Sequence, residues 1–208
     1  MVARDAISAP RPLYCGLLRL FGSWLGRIGQ DLAVLRVAFL RGVNVGRVRV
    51  PMADLRDLFA ELGFAGSRTV LNTGNVLFES GASESELAGL LEPALSERFA
   101  YAARVFVLDH DAVRSAAEAC PFDESPEHHR YAVLCADERV ARDLAGVPVE
   151  LGPDEDRALG GRIVYWRVPR GQTLDSPFGK VLAGREFSPA TTNRNLKTLI
   201  RIADHSTS

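Results

Sequence analysis

The chain has 208 residues, of which 47% are hydrophobic and 25% charged, and its formal net charge at neutral pH is −1. This balance excludes disordered and fibrous proteins and predicts a soluble globular chain with one larger core or two small ones. Its three cysteines are widely spaced and form no CxxC or Cys/His pattern, which argues against a disulfide framework and a zinc site. We therefore expect a cytoplasmic protein with no metal site, and no motif indicates a cofactor.

Charge is distributed unevenly along the chain. Residues 1–51 carry eight basic and two acidic side chains, residues 52–159 carry nine and 21, and residues 160–208 carry eight and three. If the two basic ends meet on one face, an anion is the natural partner, because a positive cleft concentrates anions. Ordinary solvated surface charge is the alternative interpretation.

Residues 1–33 differ from the rest of the chain. Apolar side chains recur there at helical spacing, so one amphipathic helix is one interpretation. Arg19 interrupts the apolar run, so neither a secretory signal nor a bilayer-spanning segment is predicted. We prefer a disordered N-terminal extension, or a start codon assigned too early, with the first domain beginning at Val34.

Residues 34–108 have the pattern of a first α/β plait. The turn-forming residues 72–75 between two apolar segments predict a tight hairpin, and Ser83 and Glu86 have the spacing of a capping box. The predicted elements, in chain order, are a strand at 34–41, a helix from Pro51 to Gly63, strands at 69–71 and 76–78, a helix from Ser83 to Phe99 and a strand at 104–108.

Residues 130–208 repeat this theme, after a linker helix and loop at residues 109–129. The predicted elements there are a strand at 131–135, a helix capped by Asp137, strands at 147–151 and 162–168, a helix opened by Ser176 and Pro177, and a final helix at about 194–203. Two ferredoxin-like α/β plaits (βαββαβ) with a C-terminal helix, in the α+β class, are the predicted fold. The alternative is a single mixed sheet with helices on both faces.

The loop RGVNVG at residues 41–46 is the first candidate binding segment. Gly42 and Gly46 allow backbone N–H groups to approach a ligand, Asn44 can donate and accept hydrogen bonds, and the following helix start favours negative charge. With Arg41, this predicts a cradle for a phosphate or carboxylate. In the alternative interpretation the glycines only permit the turn and Asn44 bonds its own loop.

The second candidate segment is the start of the final helix, with Arg194, Asn195 and Thr198. A cation near the positive end of a helix costs up to about 1 kcal/mol, so Arg194 should have an anionic partner. That partner is either a buried carboxylate of the same chain or an external ligand. Asn75 in the hairpin and the cation Lys180 complete the predicted ligand-binding set.

Four segments together resemble family 1697 of bacterial domains of unknown function. They are RGVNVG at 41–46 with VPM at 50–52, TGNV at 73–76, VPRG at 168–171 with FGK at 178–180, and TNRN at 192–195. The resemblance implies the same two-plait fold and no established activity, cofactor or partner. Leu196 departs from the family pattern, which has an aromatic residue there and thus a stacking surface beside Arg194.

Catalytic signals are weak. The four histidines lack metal-ligand spacing, His110 lies in a helix-capping sequence, and residues 154–156 are interpreted as a solvated acidic loop. Cys135 lies in a predicted buried strand, where a thiol is unreactive.

The preferred function is the binding of an anionic small molecule, a nucleotide or another phosphate or carboxylate, in a cleft between two domains. One alternative is an enzyme in which Arg194 and Lys180 stabilise negative charge. Another is a weak nucleic-acid-binding module, which is disfavoured because the RNP1 pattern is missing. In a third, the motifs only hold the plaits together, and loss of Arg41 or Arg194 lowers stability first.

Overall fold

A computed structural model describes residues 33–44 and 48–205. The predicted N-terminal extension therefore lies outside the described residues, apart from Ala33, and so does Gly46 of the predicted anion cradle. No helix within the described ranges is long and apolar enough to cross a bilayer.

The first half of the described chain forms a complete ferredoxin-like plait. Its elements are β1 (Val34–Arg41), α1 (Met52–Glu61), β2 (Arg68–Val70), β3 (Asn75–Ser80), α2 (Glu84–Phe99) and β4 (Arg104–Asp109). The strands form one antiparallel sheet in the order β2-β3-β1-β4. Helix α2 starts at the predicted capping box, in which Ser83 accepts from the Glu86 N–H and the Glu86 carboxylate accepts from the Ser83 N–H.

The second half repeats this order after the linker helix. Its elements are α3 (His110–Glu118), β5 (His128–Cys135), α4 (Glu138–Ala145), β6 (Asp156–Gly160), β7 (Ile163–Pro169), α5 (Pro177–Ala183), a 3-10 turn (Ser188–Ala190), β8 (Thr191–Asn195) and α6 (Leu196–Ala203). The second sheet is antiparallel with the equivalent order β6-β7-β5-β8. The predicted fold of two plaits is confirmed, because the strands form two separate sheets rather than one.

Alternation of side chains along the strands places the buried residues of the described ranges in three cores. In β1, Ala38 and Leu40 pack on the outer helices α1 and α2, whereas Val37 and Phe39 face the second plait. The inner face of the second sheet, together with α3 and α6, completes this central core. The outer face of the second sheet packs against α4 and α5, for example through Trp166 and Phe178. The central core thus joins the two plaits through apolar contacts.

Two strands of the second plait differ from the prediction. Residues 147–151 form no strand, because Pro148 lacks an N–H donor, and their apolar side chains pack at the outer core instead. The strand lies further on, at β6, and begins within residues 154–156, for which the sequence predicts a solvated acidic loop. Glu155 is buried there, and its carboxylate accepts from the Trp166 indole N–H at 2.9 Å and the Gly152 N–H at 2.9 Å.

The second difference concerns the C-terminus. The final helix begins at Leu196 rather than near Arg194, and Thr191–Asn195 form β8, which pairs with β5. This polar strand lies at the edge of the sheet and has no apolar alternation to reveal it. Arg194 is therefore a strand residue, and the expected conflict between its charge and a helix end does not arise.

Candidate functional site

Arg194 connects the two plaits through hydrogen bonds to neutral acceptors. Its Nε donates to Asn75 Oδ1 at 2.8 Å and its Nη2 donates to the Leu40 carbonyl at 2.6 Å, both in the first plait. Its Nη1 donates within the second plait, to Thr192 Oγ1 at 2.8 Å and the Asn193 carbonyl at 2.9 Å. Four of the five guanidinium N–H donors are thus used by the protein.

Of the two partners considered for Arg194, a carboxylate of the same chain or an external ligand, no carboxylate pairs with it among the described residues. Burial lowers the pKa of Arg194 to about 10, which leaves the side chain charged at neutral pH. The Phe39 ring lies below the guanidinium, with its centroid 5.5 Å from the central carbon. The cation is therefore stabilised by protein groups in place of water: carbonyl, amide and hydroxyl dipoles and one aromatic face.

The hairpin side of this contact is tightly fixed. Asn75 is fully buried, and its Nδ2 donates to Thr73 Oγ1 at 2.8 Å and to the Val70 carbonyl at 3.1 Å. A Cβ on Gly74 would lie 3.0 Å from Val43 Cγ2, and the backbone there has φ of +70°. The segment around residues 73–76 thus supports Arg194 from the first plait.

The loop after β1 joins the same hairpin. Asn44 Nδ2 donates to the Asn72 carbonyl at 2.9 Å, and Asn44 Oδ1 accepts from the Val50 N–H at 3.1 Å. Both ends of the Asn44 amide are therefore used to close the loop. Gly42 has φ of +74°, which favours glycine. Arg41 is half-buried and pairs through its backbone with β4, and its side chain has no hydrogen bond or ion pair with another described residue.

The other predicted site residues lie elsewhere. Asn195 caps α6, since its Oδ1 accepts from the Lys197 N–H at 3.0 Å, and Thr198 is half-buried on that helix. Lys180 is exposed on α5, which packs on the outer face of the second sheet, whereas Arg194 lies on the inner face. The structure brings Asn44, Asn75 and Arg194 to one junction and leaves Lys180 apart.

A second polar feature, here called the basic cleft, lies where the linker crosses the end of the second sheet. It encloses about 170 Å³ between the linker, the start of β5, the end of β7 and the start of α6. Five of its side chains carry basic nitrogen, and one carries a carboxylate. The cleft is lined by Glu124, Ser125, His128, His129, Arg130, Arg170, Asn195, Leu196 and Lys197.

Glu124 bridges two of the cations in the basic cleft. Its Oε1 lies 2.7 Å from Lys197 Nζ and its Oε2 lies 3.6 Å from Arg130 Nη2. Arg130 also donates from Nη1 to the Phe122 carbonyl at 2.8 Å, which fixes it beneath the linker. Arg170 donates its backbone N–H to the Glu127 carbonyl at 2.8 Å and its Nε to the Pro126 carbonyl.

The titratable groups of the basic cleft reflect its positive potential. The hydrogen bond and charge of Lys197 lower the pKa of Glu124, with smaller contributions from Arg130 and Arg170. Burial lowers the pKa of His129, and the charges of Arg170 and Lys197 lower it further. The neighbouring His128 places Nδ1 3.2 Å from Ser125 Oγ, while its Nε2 is buried without a partner among the described residues.

Sequence reasoning found Asn195 but missed the rest of the basic cleft. Arg170 belongs to one of the four family segments, and Lys197 is one of only two lysines, yet neither fact places them together. The pairing of His128 with Pro169, and of Tyr131 with Asn195, brings the three segments to one edge. Knowledge of this strand register would therefore have placed the residues of the basic cleft together.

Two ferredoxin-like plaits, linked by Arg194 and bearing a basic cleft at the end of the second sheet, define a two-plait α+β protein. A family model described as "Protein of unknown function (DUF1697)" matches residues 35–165, which is more than half of the chain. The chain belongs to this family, and the resemblance seen in its four segments is confirmed.

A solved structure supports the same architecture. The conserved bacterial protein SP0830 from Streptococcus pneumoniae is 24% identical to this chain, with a TM-score of 0.69 over 82% of this chain and 97% of that one. At this identity the likeness concerns the fold alone. A comparison with curated proteins gave no match.

Proposed function

We propose that this protein binds an anionic small molecule, carrying a phosphate or carboxylate group, in the basic cleft. The observation that carries the proposal is the convergence of Arg130, Arg170 and Lys197 on one concave surface, whose lining among the described residues includes one carboxylate. Because the cations outnumber the carboxylate, the cleft keeps an excess of positive charge at neutral pH. Such a surface raises the local concentration of anions.

The chemistry of the lining suits an oxyanion. Arginine presents N–H donors in a planar fork, and lysine supplies a mobile point charge, the pair that commonly binds phosphate and carboxylate groups. Asn195 lies at the start of α6, where the helix end adds a partial positive charge. The volume of about 170 Å³ is below that of a drug-sized pocket, so it suits a small anion or the charged group of a larger ligand.

The junction at Arg194 supports this function less well. Four of the guanidinium donors already have partners, and the Asn44 and Asn75 amides are bonded to the chain. A ligand there would have to break contacts that hold the plaits together. These residues accordingly fit the scaffold interpretation, and anion binding is assigned to the cleft beside them.

Calorimetric titration with inorganic phosphate at low ionic strength tests the proposal. Lys197→Gln should weaken phosphate binding about tenfold, because one charge–charge contact near the surface is lost. Arg201→Gln is the matched control, since Arg201 is an exposed cation on the same helix but does not line the basic cleft. The absence of saturable phosphate binding by the wild type and by Glu124→Gln, which removes the carboxylate from the cleft, would refute the proposal. Equal effects of Lys197→Gln and Arg201→Gln would also refute it.

A further inference from the structure

We propose that the Glu124 carboxylate occupies the anion-binding position of the basic cleft, between Arg130 and Lys197, when no ligand is bound. The anionic group of a ligand then displaces this carboxylate. Glu124 is in this sense an internal occupant of the cleft. This regulation rests on the proposed function, because the displacing group is that of the ligand bound there. It also identifies the ligand as a dianion, such as a phosphate monoester, for the reasons that follow.

The geometry resembles that of a bound anion. Glu124 is the one carboxylate among the described residues that line the basic cleft, and its two oxygens contact cations from different elements, Arg130 on β5 and Lys197 on α6. A phosphate oxygen pair between these cations would occupy the same position. The carboxylate therefore marks where the charged group of a ligand binds.

The linker is anchored on both sides of Glu124 but not at its side chain. Phe122 precedes it, with its carbonyl held by Arg130 and its ring 5.4 Å from the Arg167 guanidinium carbon. Ser125 follows, with its hydroxyl accepting from the Glu127 N–H at 3.2 Å. The Glu124 side chain itself is 62% exposed. It can rotate into solvent without a change in the backbone.

Displacement is favourable for a doubly charged group. Exposed ion pairs are weak, because water and salt screen them, so the two contacts of Glu124 are readily exchanged. A monoanion would only replace one carboxylate by another. A dianion gains a second unit of charge beside Arg130, Lys197 and the adjacent Arg170, so it outcompetes the internal carboxylate.

The test compares phosphate binding by the wild type, Glu124→Gln and Glu127→Gln. Glu127 is an exposed carboxylate on the same linker that does not line the basic cleft, so its substitution controls for the change in net charge. Glu124→Gln should bind phosphate about tenfold tighter than the wild type, and Glu127→Gln within about twofold. Acetate, as a monoanion, should bind Glu124→Gln more weakly than phosphate does.

The outcomes separate this inference from the proposed function. If Lys197→Gln weakens phosphate binding but Glu124→Gln leaves it unchanged, the basic cleft binds anions and Glu124 is not an occupant. If Glu124→Gln and Glu127→Gln tighten binding equally, only net charge matters and the inference is wrong. If neither the wild type nor Glu124→Gln binds phosphate, both proposals fail. Circular dichroism checks the folding of the variants. We expect spectra like that of the wild type, because Glu124 and Glu127 are both exposed.

Discussion

Replacement of Arg194 by alanine should destabilise the protein, because it leaves two buried acceptors without a partner. Asn75 Oδ1 belongs to a residue with no exposed surface, and Leu40, whose carbonyl accepts from Nη2, is 1% exposed. Each buried acceptor left unsatisfied costs about 1–3 kcal/mol. The variant no longer has to bury a cation, which offsets part of this cost. We expect a loss of about 3 kcal/mol in the free energy of unfolding.

Urea unfolding followed by circular dichroism measures this loss. Arg201→Ala, an exposed arginine on α6, should change the free energy of unfolding by less than about 0.5 kcal/mol. Asn75→Ala should destabilise the protein to a similar extent as Arg194→Ala, and the double variant should lose less than the sum, because the two side chains share a hydrogen bond. An Arg194→Ala variant within 1 kcal/mol of the wild type would refute the role assigned to this contact.

Two further predictions concern α5 and the basic cleft. Gly179→Ala should destabilise the protein by about 1–3 kcal/mol, since the new Cβ would lie 2.2 Å from the Thr173 carbonyl oxygen. The matched Gly89→Ala, at an open site on α2, should stabilise it by about 0.5–1 kcal/mol, and urea unfolding of both variants measures the two effects. Sulfate, whose charge does not change near neutral pH, should bind more tightly as the pH falls from about 8 to 6. The reason is that a bound anion offsets the charges of Arg170 and Lys197, which favours protonated His129, and His129→Gln should flatten this dependence in calorimetry.

The fold was largely predictable because most elements carry local signals. The capping box at Ser83, the cap at Asp137 and the Ser176–Pro177 helix start were all correctly placed, and each side chain accepts the expected backbone N–H. Runs of β-branched and other apolar residues located β1 and β7. The two strands that the sequence did not predict, β6 and β8, lie at sheet edges and have mixed or polar sequences. They form strands because they pair with a neighbouring strand, and their own composition does not indicate it.

The partners of Arg194 were not predictable for a different reason. The sequence predicts an anionic partner, either a carboxylate of the chain or an external ligand, whereas the acceptors within the described residues are an amide oxygen, a hydroxyl and two carbonyls. Every residue has a carbonyl, so no sequence pattern identifies the two that lie within reach. Only the packing of β8 against the ends of β1 and β3 brings the Leu40 carbonyl and the Asn75 amide oxygen within reach of Arg194. Likewise, Glu155 was read as solvated because its buried indole partner, Trp166, is eleven positions away.

The segment TNRN contributes to both polar features because it forms the corner between β8 and α6. Thr192 and Arg194 face the first plait, and Asn195 uses its side-chain oxygen to cap α6. These structural roles are sufficient to explain the polar residues of β8, so no bound ligand is needed to account for them. Lys197, two positions further on, extends into the basic cleft with 64% of its side chain exposed. The residues of TNRN therefore fix the corner between β8 and α6, whereas the cation available to a ligand is Lys197, which lies outside this segment.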